Sequence, residues 1–209
     1  MKKLFVIILI FVAGAFLYFF SGSENINPDF SNYRNSNLGI SFSYPKILTA
    51  STTKNMAILH HEVPFVHHDF CDFKGEIDTT IDILTDFHIS LYTINKNIID
   101  SMKQESPYIP EENFVNGDVV VSPGFIDSYE NGKLKGFRIF EGAEGCGRTI
   151  YYLKVNEKKT LVVIDKLITI FTGAIDTENM ERALAVPGVI NGKMAEEMLE
   201  SILGTVKTL

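Results

Sequence analysis

Four of the five histidines and one of the two cysteines fall in one stretch, His60-His61-Glu62-Val63-Pro64-Phe65-Val66-His67-His68-Asp69-Phe70-Cys71-Asp72. Neutral imidazoles next to a thiolate or carboxylate are good zinc ligands, and a site needs three or four of them to converge. On an extended backbone His60 and His61 point to opposite faces, as do His67 and His68. A site therefore takes one member of each pair. The set His61, His68 and Asp72 satisfies this, with Asp69 or Cys71 as other completing ligands, provided that the chain folds back near Pro64. Such a set predicts bound zinc, in a metal carrier or a metal-dependent hydrolase. The spacing matches no zinc pattern, and the competing reading is a polar loop with partly exposed histidines.

Other chemistry-bearing spacings are weaker. Ser43-Tyr44-Pro45-Lys46 has the S-x-x-K form of penicillin-binding enzymes, in which the serine opens a helix. Pro45 disfavours a helical Tyr44, and Ser43 lies in an alternating stretch. Gly142-Ala143-Glu144-Gly145-Cys146-Gly147 is rich in glycine, but Arg148-Thr149-Ile150-Tyr151-Tyr152 after it reads as a strand. A phosphate cradle needs a helix there, so this is a tight connection between strands. Asp86, beside Phe87 and His88, reads as a turn before a strand. No G-x-S-x-G occurs, and no catalytic residue is assigned.

The N-terminus speaks to location. Lys2 and Lys3 precede an uncharged, mostly apolar run from Leu4 to Phe20. At about 1.5 Å per residue it reaches roughly 25 Å, a little short of a ~30 Å hydrocarbon core. Residues 1–23 read as a signal anchor or transmembrane helix with its N-terminus cytoplasmic, which places the rest of the chain outside the cytoplasm. Cleavage near Ser21-Gly22-Ser23 would instead give a secreted or periplasmic protein. The net charge is −7, and setting aside Lys2 and Lys3 leaves −9. Such acidity argues against nucleic acid as a partner.

Both cysteines lie in the part placed outside the cytoplasm, where disulfides persist. Cys71 and Cys146 also stand in polar, turn-like contexts with glycines at hand. A Cys71–Cys146 disulfide is the expectation, two separate thiols the alternative. The bond would remove Cys71 from any thiolate ligand set.

These residues need elements to hold them. Residues 24–32 are small and polar and read as a linker to a domain over 33–209. Ile40, Phe42 and Tyr44 alternate with serines, the mark of a half-buried strand. Met56–Glu62 and 87–94 read as further strands, with 77–84 open. Asn97–Gln104 reads as a helix that stops before Pro107. Asn131-Gly132 between Phe125–Tyr129 and Leu134–Phe140 signals a hairpin, and the turn 156–159 signals a second. Met194, Met198, Leu199 and Ile202 share a helical face, with Asn191 as N-cap and Gly204 at C′; 205–209 is extended. The sum is an α+β domain, an antiparallel sheet with helices packed on its faces.

Tyr33, the run Leu38-Gly39-Ile40-Ser41-Phe42-Ser43-Tyr44-Pro45 and the closing helix and strand from Met194 to Leu209 resemble PsbP-like domains, as they occur in membrane-anchored bacterial proteins. The resemblance covers only the two ends of the domain. It implies an α/β/α sandwich, an antiparallel sheet between helical layers, and no transferable active site. Members mostly bind or support other proteins. The expected function is a membrane-tethered, non-enzymatic binding or structural module at the cell envelope, touching the membrane through residues 4–20 and binding an envelope protein or ligand, with no resident cofactor. Metal binding through His60–Asp72 is the alternative.

Overall fold

The computed structural model describes residues 29–53, 55–68, 71, 80–172 and 177–209 of the chain. The expected N-terminal span, residues 4–20, lies outside them. Among the described residues no helix is long and apolar enough to cross a membrane.

Two antiparallel meanders form the main sheet. The first is β3 (Thr49–Thr53), β4 (Met56–His68) and β5 (Thr80–Ile94). The second is β8 (Ile126–Asn131), β9 (Leu134–Ala143), β10 (Cys146–Asn156) and β11 (Lys159–Lys166). They join where β11 pairs with β5, giving the order β3-β4-β5-β11-β10-β9-β8. Between β5 and β8 the chain forms α1 (Ile98–Glu105) and the short ribbon β6 (Phe114–Val115) and β7 (Asp118–Val119). After β11 come α2 (Thr177–Leu184) and α3 (Gly192–Gly204). A second sheet, in the order β1-β2-β12, is built from β1 (Phe30–Asn35), β2 (Ile40–Pro45) and β12 (Lys207–Thr208). β1 thus begins inside the stretch read as linker.

Period-two alternation sorts the side chains of the main sheet. Phe87, Ile89, Leu91, Tyr151, Leu153, Leu161 and Val163 face Ile40 and Phe42 of β2 and Leu199, Ile202 and Leu203 of α3. Ile139, Ile150, Tyr152 and Val162 face the other way, onto Met102 of α1, Ile109 and Val119. Each fully buried side chain of this kind contributes about 1.5–3 kcal/mol. A third cluster, Val63, Phe65 and Leu84 with Ile170 and Ala183, closes the far arm of β4 and β5 under α2.

The α+β sandwich expected from the sequence is corrected here. The described residues are 52% strand and 21% helix, so the fold is mainly β. The reason is packing. Helical layers were expected on the sheet faces, but α1 spans only a few positions of one face. On the other, the small sheet supplies Ile40 and Phe42 and shares the cover with α3.

Local signals fix several boundaries. The Asn97 side chain accepts from Asp100 N at 2.8 Å and the Asn191 side chain from Met194 N at 3.0 Å, capping α1 and α3. Gly204 is not a C′ glycine. It is the last residue of α3, next to the Asn131 side chain, and Thr205 is the cap. The β8–β9 loop is Gly132-Lys133, with Asn131 still paired to Leu134. Gly132 takes the positive φ of 59° that the turn requires.

Candidate functional site

The metal set expected from the sequence does not come together. β4 does not fold back at Pro64 but continues to His68, its last residue. His61 and His68 therefore stand about 23 Å apart along one strand, at roughly 3.3 Å per residue. Asp72 lies outside the described residues. Among the described residues no group of three or more His, Cys, Asp or Glu could hold a metal ion. His68 is exposed, while His67 Nδ1 donates to Phe65 O, 3.1 Å away, and the ring stacks on the Phe65 ring.

His61 has a different partner. Its Nδ1 lies 2.7 Å from Asp86 Oδ1, and Asp86 Oδ2 accepts from Ile190 N at 2.7 Å. Asp86 is wholly buried. It belongs to β5 and not to a turn before it: His61 pairs with Phe87 and Glu62 with Thr85, so Asp86 is the extra residue of a β-bulge. The bulge breaks the alternation of β5 and aims the Asp86 carboxylate at the strap before α3. The sequence offered no signal for this pair, because only the register reveals it.

Cys71 and Cys146 are joined, with Cα atoms 5.7 Å apart. The disulfide fastens the segment after β4 to the first residue of β10, and the Thr169 hydroxyl lies 2.7 Å from Cys71 Sγ. The glycine-rich stretch around Cys146 is the tight β9–β10 connection, with Glu144 and Gly145 both at positive φ. Ser43 lies in extended β2, its hydroxyl donating to Asn32 Oδ1, so no S-x-x-K helix exists.

A cleft of about 370 Å³ that no sequence signal announces lies between α3 and the main sheet. Its floor is set by register. Arg138 of β9 stands opposite Tyr151 of β10, and Thr149 opposite Asp165 of β11. Glu196 and Leu199 of α3 form its roof. Burial, reinforced by Glu196, pushes the Asp165 carboxyl up to about 7. Burial also pushes the Tyr151 hydroxyl up to about 12, with Asp165 adding to it. Arg138 Nε lies 3.5 Å from Asp127 Oδ2. One guanidinium, a phenol, a threonine hydroxyl and two carboxyls thus meet one concave space with apolar walls, which suits a small polar ligand.

No protein-family model matches the chain, and no curated protein is similar to it.

A second polar cluster lies on the opposite face. Glu141 accepts from Arg148 Nε at 2.6 Å, from Ser106 Oγ at 3.1 Å and from the Tyr108 hydroxyl. Arg148 and the tyrosine hydrogen bond hold the Glu141 carboxyl below its ordinary value against the opposing effect of burial, the largest single influence. Ser106 and Tyr152 share a buried hydrogen bond of 2.8 Å. These groups close on one another and seat the end of α1 on the sheet.

Proposed function

We propose that this chain is a membrane-tethered extracytoplasmic binding module that holds a small polar ligand in the cleft beneath α3. The cleft is the observation that carries the binding role: Arg138, Tyr151, Thr149, Asp165 and Glu196 converge on it from three strands and a helix. The disulfide supports the compartment, since such bonds persist where thiols are oxidised. The lysine-led apolar run of residues 4–20 supports export and tethering. The likeness of Leu38–Pro45 and Met194–Leu209 to PsbP-like domains, which bind or support other proteins, favours the same class of role.

Native mass spectrometry of the full chain, taken from its own envelope in mild detergent, tests the binding role. A bound small molecule that is lost in Arg138→Ala and in Glu196→Ala is the expected result. A wild-type spectrum of the bare chain overturns it. Fractionation tests the tether: mature chain beginning near Glu24 and free in the extracytoplasmic fluid would overturn that part alone.

A further inference from the structure

On the face of the sheet turned away from α3, β4 and β5 place two histidines directly opposite each other. His60 is the register partner of His88. Directly opposed residues on antiparallel strands have Cβ atoms about 4.5–5.5 Å apart and share a face. Two imidazole nitrogens bound to one zinc-type ion, each about 2.0–2.1 Å from it, fit between side chains rooted that close together. Both rings are half-buried, so the site is open to solvent on one side and backed by the sheet on the other.

The state of His88 is what a metal ligand needs. Its Nδ1 is buried and has no hydrogen-bond partner among the described residues. Nδ1 is closed to solvent, so an ion with water in its remaining positions takes the other ring nitrogen, Nε2. Burial, with Lys166 next in effect and His60 contributing, holds His88 below its ordinary pKa. A neutral imidazole is the ligating form. Strand alternation puts Glu62 on the same face as His60, two residues along.

We propose that His60 and His88 form a two-imidazole site for a zinc- or copper-type divalent ion on the open face of the sheet. The remaining coordination positions are left to water. His88 also borders the cleft beneath α3, and the site shares no ligand with the set His61, His68 and Asp72. It uses His60, the other member of the first histidine pair, because β4 turns His61 inward to Asp86.

The test is calorimetric titration of the untagged full chain in mild detergent with Zn²⁺ and, separately, Cu²⁺. One ion per chain is expected, weakened at least about tenfold by His60→Ala and by His88→Ala and unchanged by His68→Ala. The two variants are independent, so His60→Ala keeps the test meaningful if His88→Ala fails to fold. Imidazole resonances of His60 and His88 that shift together on metal addition would add support. No binding by the wild type, or binding that survives His60→Ala, overturns the proposal. So does binding that is lost in His68→Ala instead.

Discussion

His61 and Asp86 lie 25 residues apart in sequence and 2.7 Å apart in space, with the carboxylate wholly buried and its second oxygen held by the backbone of Ile190. The pair couples β4, β5 and the strap that leads into α3. Asp86→Ala strands both donors in a site closed to water. Breaking one side of a buried, hydrogen-bonded pair costs about 3 kcal/mol. For a chain of this size the melting temperature should fall by about 6–12 °C. A denaturation midpoint within error of wild type would show that the pair adds nothing.

The disulfide closes a loop with a sequence separation of 75. The loop-entropy estimate gives about 4–5 kcal/mol of stabilisation, an upper figure. Urea denaturation with and without reductant should show a loss approaching that size, reproduced by Cys71→Ala/Cys146→Ala. Thiol counting on denatured, unreduced chain should find none free.

Asp165 makes stability depend on pH. Its folded-state pKa, about 7, lies above the ordinary value of 3.8. The folded chain therefore binds more protons than the unfolded one between these values. Stability falls as pH rises from about 4 to about 7 and is flat in this respect above it. Asp165→Asn should remove that slope and stabilise the chain at pH 8, by an amount on the order of 4 kcal/mol. Denaturation midpoints of both proteins at pH 5 and pH 8 measure it; equal slopes would refute the assignment.

Gly136 is required by close approach. A Cβ there would collide with the Tyr152 carbonyl oxygen across the β9–β10 ladder. Gly136→Ala should destabilise by at least about 2 kcal/mol, because backbone must shift to admit it. A Cβ at Gly117 would meet open space, but the φ of +80° there resists the same change, and Gly192 is the cleaner control.

Local patterns announced much of this fold and little of its site. The β8–β9 and β10–β11 hairpins, the Asn191 cap and the Cys71–Cys146 bond could be read from neighbouring residues, because each depends on turn chemistry or on compartment, whereas Asn97, read as the first residue of a helix, is its cap. The length of β4 and β5 could not. The bulge at Asp86 and the irregularity at Pro64–His67 change the facing of side chains in mid-strand, which scrambles a period-two reading. The small sheet was hidden because β12 is two residues long and pairs with a strand from the other end of the chain. α2 is eight residues long and buries only Ala183, too short a segment for its periodicity to be read. The cleft and the His60–His88 pair both arise from strand register, which no stretch of sequence contains by itself.

The edge position of β1 has a mechanical consequence. β1 pairs only with β2, and Phe30 opposes Pro45 at the end of the hairpin away from its turn. Tension on the chain ahead of Phe30 reaches the hairpin at that open end. There it meets the Asp29–Lys46 clamp, a backbone hydrogen bond of 2.7 Å and an ion pair of 2.5 Å. Beyond the clamp the strand's hydrogen bonds are loaded one after another and not in parallel. Under pull β1 peels like a zip, and it yields while the seven strands behind it stay closed.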